Sequence, residues 1–148
     1  LILKKFLEEP DGWIENKLNS CLVLSCCYQA MGENAAAFDI LFYSFTMDVP
    51  RAEICCEIGR LFMEKREYVT AAYWYQQALL APRKKKNGGF YIADSHDFIP
   101  AIQMCVCLDK AGRHREAFEF HKKARVLKPL HQAVIGNEKY FRDVWGME

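Results

Sequence analysis

Residues 52–82 read AEICCEIGRLFMEKREYVTAAYWYQQALLAP, and they carry the pattern that decides the architecture. Ile58, Phe62, Tyr68, Ala71, Ala72, Tyr75, Ala78 and Leu79 recur at helical spacing on either side of Lys65-Arg66-Glu67. Two short amphipathic helices joined by a tight turn follow from that spacing. Small residues (Gly59, Ala71, Ala72, Ala78) let such helices cross closely, and Pro82 stops the second one. The unit also repeats. Ala52 stands 34 residues after Leu18, and Phe98 stands 46 after Ala52, which is 34 plus an insertion of 12. In this register the columns are Leu24/Ile58/Met104, Tyr28/Phe62/Leu108, Gly32/Arg66/Gly112, Ala37/Ala71/Ala117 and Ser44/Ala78/Ala124, with Pro50, Pro82 and Pro129 near the repeat ends.

A period of 34 with these columns resembles the tetratricopeptide repeat, and Ile58-Gly59, Phe62, Ala71 and Tyr75 follow its L-G-x-x-Y … A-x-x-x-F pattern closely. The resemblance implies an all-α solenoid of helical hairpins. One domain over 1–148 is expected, with repeats near 18–51, 52–85 and 98–131, an insertion at 86–97 and a capping helix near 131–145. The helix pairs are predicted at 18–31 with 34–46, 52–65 with 68–80, and 98–111 with 114–127. A further N-terminal helix is predicted over Leu1 to Glu8, ending before the turn signal Pro10-Asp11-Gly12. No strand-helix-strand alternation is present, so a Rossmann-type nucleotide site is not expected.

Composition narrows the partners. Of 148 residues, 51% are hydrophobic and 26% charged, with 20 Lys+Arg against 19 Asp+Glu and a formal net charge of +1. That balance supplies a core but no bulk field for nucleic acid or anionic lipid, and neither partner is expected. No run reaches the roughly 18 apolar residues of a membrane span. Seven cysteines in no C-x-x-C spacing read as reduced thiols in a cytoplasmic protein, packed between helices. The N-terminus, Leu1-Ile2-Leu3-Lys4-Lys5, lacks an initiating Met and suggests a piece of something longer.

The chemistry-bearing residues favour binding over catalysis. Asp94, His96 and Asp97 could offer two carboxylates and an imidazole to a metal, but Asp97 also reads as the cap of a helix opening at Phe98. Arg83-Lys84-Lys85-Lys86 reads as a solvated loop, and Gly88-Gly89 precedes no helix with the Lys-Ser/Thr of a phosphate cradle. His114 and His121 fill the columns of Tyr68 and Tyr75, and no histidine is expected to be catalytic. No cofactor or metal is expected. In a helical-hairpin solenoid the first helices of successive pairs line a concave surface that takes peptides. The columns expected there are Asn19/Glu53/Ile99, Leu22/Cys56/Ile102, Cys26/Arg60/Val106 and Gln29/Met63/Asp109. Gln29, Glu53, Arg60, Met63 and Asp109 are therefore candidate partner-binding residues, with Arg60 alternatively paired to Glu53, Glu57 or Glu64. The columns Leu22/Cys56/Ile102 and Cys26/Arg60/Val106 depart from the lysines and asparagines with which tetratricopeptide domains clamp chaperone C-terminal carboxylates, so a chaperone-tail receptor is not expected.

A second resemblance rests on longer stretches. Phe45-Thr46-Met47-Asp48-Val49-Pro50-Arg51-Ala52-Glu53-Ile54-Cys55-Cys56-Glu57-Ile58-Gly59, then Tyr73-Trp74-Tyr75, Gly88-Gly89-Phe90, Asp94 and Pro100-Ala101-Ile102-Gln103-Met104-Cys105-Val106-Cys107 are similar to the C-terminal tetratricopeptide region of bacterial family 2 glycosyltransferases. The similarity spans about residues 41–142. It implies a non-catalytic accessory region behind an α/β domain that binds nucleotide-sugar and metal. This chain has no Asp-x-Asp to hold them, and it has His96 where an aromatic and Leu108 where a tyrosine is expected. The insertion residues Phe90, Tyr91, Asp94 and His96 join the candidate partner-binding set. Their loop would close over an acceptor, pack on the catalytic domain, or fold onto its own solenoid. The implied roles are acceptor positioning, protein–protein interaction or self-association, the last through Tyr140, Phe141 and Trp145, which serve either as a buried cap or as half of a homodimer interface. The alternative is a stand-alone adaptor with a peptide on its concave face.

Overall fold

The computed structural model describes residues 2–8, 13–83 and 91–148. Leu1, the Pro10-Asp11-Gly12 turn, Lys84 to Lys86, Gly88-Gly89 and Phe90 lie outside the described residues. Helices run in the order α1 (Ile2–Glu8), α2 (Ile14–Ala30), α3 (Asn34–Tyr43), α4 (Ala52–Glu64), α5 (Tyr68–Leu80), α6 (Phe98–Lys110), α7 (His114–Leu127) and α8 (Gln132–Trp145). Short 3₁₀ turns cover Ser44–Thr46 and Ala93–His96. Among the described residues there is no strand, and no helix is long and apolar enough to cross a membrane.

Two boundaries differ from the expected ones. α2 opens at Ile14 rather than near Leu18, because Trp13 in extended conformation sets the first turn earlier. α3 stops at Tyr43 rather than reaching 46. There Ser44 Oγ donates to Leu41 O at 2.6 Å and Thr46 Oγ1 to Tyr43 O at 2.7 Å, so side chains take carbonyls that a longer helix would use.

The hairpin turns share one geometry. Gly32, Arg66, Gly112 and Gly146 take φ of 75°, 59°, 82° and 63°, and these four occupy one repeat column. In the first three, the next residue's N–H reaches back five positions: Glu33 to Tyr28 O, Glu67 to Phe62 O and Arg113 to Leu108 O, at 2.8–3.0 Å. This left-handed stop closes one helix and aims the chain into the next. Gly146 stands 34 residues after Gly112, so α8 is the first helix of a fourth, half repeat.

Packing follows the columns. Ala71, Ala72, Ala78, Cys55 and Cys107 are buried where α4, α5 and α6 meet, with Tyr75 among them. Leu41, Ile54, Ile58 and Leu61 form the core between α3 and α4. Buried Arg51, just before α4, donates from its two terminal nitrogens to Glu15 at 3.0 and 2.8 Å and to Asp48 at 2.7 Å, tying α2 to the second hairpin. These two carboxylates hold its guanidinium firmly charged against the cost of burial. α8 is capped by His131, whose Nδ1 accepts from Ala133 N at 3.1 Å, and buries Val134 and Phe141.

Candidate functional site

The first helices of successive pairs are α2, α4, α6 and α8, and one polar network links the first two of them. Gln29 Nε2 donates to Glu57 Oε1 at 3.1 Å, while Arg60 donates to Glu57 Oε2 at 3.1 Å, to Glu64 Oε1 at 2.5 Å and to the Gln29 carbonyl. Of the three acids open to Arg60, the structure selects Glu57 and Glu64, its neighbours three and four residues away on the helix. Burial pushes the Glu57 carboxyl up, but hydrogen bonds from Arg60 and Gln29 outweigh it and keep the group below its ordinary value. Arg60 stays 42% exposed, within electrostatic reach of exposed Cys26. Met63 is half-buried and leans on the core.

Glu53 lies elsewhere. It is 2% exposed at its side chain, beneath the turn formed by 91–97, and its Oε2 accepts from Ile92 N at 2.7 Å. The Cys56 thiol donates to Ser95 O at 3.4 Å. Tyr91 stacks on His96 with ring centroids 4.8 Å apart. His96 is buried with its Nε2 3.4 Å from Glu53 Oε2, without the alignment of a hydrogen bond, and neither ring nitrogen has a hydrogen-bond partner. The described part of the insertion thus folds onto α4 and α6. Asp94, His96 and Asp97 diverge: Asp94 accepts from Lys128 at 2.6 Å, and Asp97 accepts from Arg83 at 2.9 Å while its other oxygen caps Phe98 N at 2.6 Å.

Asp109 belongs to a third cluster. One carboxylate oxygen accepts from His114 Nδ1 at 2.6 Å, the other from Tyr140 Oη at 2.8 Å, and Trp145 Nε1 donates to Tyr140 Oη at 3.1 Å. His114 stacks on Trp145 at 3.9 Å. This circuit clips the end of α8 onto the turn between α6 and α7. His121, fully buried, donates from Nε2 to Glu138 Oε2 at 2.7 Å, and Arg125 donates to both Glu138 oxygens at 2.8 and 2.9 Å. Phe141 is buried and Tyr140 partly so, while Trp145 stays exposed over His114.

The cysteines are free thiols, five buried and two (Cys26, Cys27) exposed. Burial pushes Cys21 up to about 11 and Cys55, Cys105 and Cys107 up to about 12, which keeps them protonated and inert. Sequence reading did not single out Glu57 as the bridge between hairpins, Lys128 as the Asp94 partner, or a groove between α1 and α2. The columns of the repeat carried no sign of the first two, because one depends on how neighbouring hairpins are rotated against each other and the other on where the non-repeating 91–97 turn lies.

No protein-family model matches the sequence, and no curated protein sequence does. The crystal structure of MamA, a tetratricopeptide-type protein, superposes with a TM-score of 0.64 over 95% of this chain and 77% of that one, at 23% sequence identity. With the eight described helices, the 34-residue columns and the shared left-handed turns, this likeness establishes the fold as a tetratricopeptide-type helical-repeat solenoid.

Proposed function

We propose that the chain is a non-catalytic protein-interaction module whose first helices receive an extended segment of a partner along the strip from Asn19, Val23 and Cys26 on α2 to Arg60 and Glu64 on α4. The observation that carries this reading is Arg60. It is locked by Gln29, Glu57 and Glu64, so its direction is preset, and it is still 42% exposed. A donor held in place loses little side-chain freedom on binding, which favours contact to a partner's backbone carbonyls. The Glu53 and Cys56 end of the columns is filled by the 91–97 turn and leaves no room for a partner.

The test is selection of peptides from a displayed library on the immobilised chain, followed by titration of an enriched peptide. Arg60→Ala is expected to weaken that peptide tenfold or more with the helical circular dichroism retained, while Arg142→Ala leaves affinity as it was. Equal binding by wild type and Arg60→Ala removes the strip as the binding face.

The finer reading makes this region a cytoplasmic accessory to a bacterial family 2 glycosyltransferase, holding the acceptor or the catalytic domain. Its support is the similarity of residues 41–142 alone. Peptide mapping of the native protein in its source cells tests it: upstream peptides with an α/β pattern and an Asp-x-Asp support the accessory role. A native species of this chain alone leaves a stand-alone adaptor.

A further inference from the structure

Two inner columns of the repeat already hold a piece of backbone. Glu53 on α4 accepts from Ile92 N at 2.7 Å, and the Cys56 thiol, three residues on, donates to Ser95 O at 3.4 Å. One side chain takes an N–H and the other a C=O, so this grip on the 91–97 turn is the kind a solenoid uses on an extended peptide. The turn belongs to an insertion that the 34-residue period does not need. Its outer ion pairs, Asp94 with Lys128 and Asp97 with Arg83, are partly exposed and hold it weakly. Beneath it His96 is buried with neither ring nitrogen hydrogen-bonded, a deficit that release into water would remove. Glu57 and Glu64 are matched by Arg60, whereas among the described residues no lysine or arginine pairs with Glu53.

We propose that the 91–97 turn is an internal ligand of this face, and that a partner segment displaces it by setting a lysine or arginine against Glu53. The inference rests on the reading of the first helices as the peptide-binding surface. The exchange replaces a neutral N–H by a cation at a carboxylate that is 2% exposed, where a unit charge counts for more than in water. With the turn gone, Glu53 and Cys56 join Arg60 in one strip along α4, and Ile99 and Ile102 carry the same two columns onto α6. An acidic segment would meet Glu53, Glu57 and Glu64 against Arg60 alone. The docked turn lowers the apparent affinity for a partner in proportion to the time it occupies the face, so loosening it tightens binding and fixing it weakens binding.

The probe is a peptide enriched on the immobilised chain, titrated beside its own variant with the basic residue replaced by glutamine. On the wild type that replacement should weaken binding about tenfold or more, and on Glu53→Gln, which still accepts from Ile92 N, it should lose nothing further. Arg83→Ala combined with Lys128→Ala, both outside the strip, should tighten the unmodified peptide about threefold by loosening the turn. His96→Phe should weaken it up to about fivefold while raising the melting temperature. Amide exchange reads the displacement directly: the Ile92 N–H should quicken when the chain is saturated with peptide, while amides of α4 slow. Enriched peptides without lysine or arginine overturn the proposal. So does a replacement that still loses tenfold on Glu53→Gln, or an Ile92 amide that exchanges no faster in the complex. The strip itself survives each of these outcomes as long as Arg60→Ala weakens the peptide; where Arg60→Ala changes nothing, the strip falls and this inference with it.

Discussion

Gly59 on α4 faces the Tyr75 ring on α5 so closely that a Cβ at Gly59 would lie 2.9 Å from both Cε2 and Cζ of that ring. Tyr75 is 1% exposed and wedged among Cys55, Cys56, Ala72 and Cys107, so its ring has nowhere to retreat. Two effects oppose each other in Gly59→Ala. Helix propensity gains up to about 1 kcal/mol, whereas overpacking a filled core costs about 1–3 kcal/mol. The steric term wins because the obstacle is the end of a rigid ring. Urea unfolding should show a net loss of about 1–2 kcal/mol, and Tyr75→Leu should make the same glycine replacement much less costly by freeing the space.

That crossing was legible in the sequence, since Gly59 and Tyr75 fall in repeat columns that demand a small residue against a large one. The three hairpin pairs and the Gly32/Arg66/Gly112 column came from the same periodicity. What periodicity leaves open is anything set by a non-repeating segment. Glu53 occupies an inner column by spacing, yet the Ile92 N–H claims its carboxylate, and no repeat predicts where a loop will bring a backbone amide. Likewise the choice of Glu57 and Glu64 by Arg60 follows from helix spacing, while the bridge to Gln29 needs the actual rotation between hairpins. The groove at α1 was invisible for a different reason: a helix of seven residues is too short for its pattern to show which face is left open.

Arg66 is the exception in the turn column. It holds φ at 59° where the other three positions carry glycine, and a side chain there pays about 1 kcal/mol for the left-handed conformation. Arg66 is exposed, and among the described residues its side chain has no hydrogen-bond partner to offset that strain. Arg66→Gly is therefore expected to stabilise the domain by a few tenths to about 1 kcal/mol, the gain being reduced by the extra freedom of glycine in the unfolded chain. A thermal or urea midpoint that falls would show that the arginine contributes a contact larger than its strain.

His96 presents the opposite situation, a polar ring buried with neither nitrogen hydrogen-bonded. Its stacking on Tyr91 does not require nitrogen atoms, and a phenyl ring would fill the same slot. Removing desolvated polar atoms without changing shape is neutral to favourable, so His96→Phe should stabilise by up to about 1 kcal/mol. His96→Ala should instead lose about 2–3 kcal/mol by leaving a cavity under the turn. If His96→Phe destabilises as much as His96→Ala, then the 3.4 Å approach of Nε2 to Glu53 is an electrostatic contact that the turn depends on.

Acid should loosen the last helix through Glu138. Hydrogen bonding from His121 holds its carboxyl below the ordinary glutamate range, with Arg125 adding to the effect and partial burial opposing it. A carboxyl whose folded value is depressed contributes stability that is fully present above the unfolded value, about 4.3, and is lost as pH falls through the folded value. Because Glu138 is 35% exposed at its side chain, solvent screening limits the contribution to below about 1 kcal/mol. Comparison of wild type with Glu138→Gln isolates it from the other carboxylates. Their difference in urea stability should be constant from neutral pH down to about 5 and should shrink toward zero below about 4. Amide exchange along α8 should follow the same profile, quickening in acid in the wild type and at every pH in the variant. A stability difference that persists unchanged into acid would mean that Glu138 acts by packing against His121 rather than by charge, since only the ionised carboxylate accepts from both His121 and Arg125.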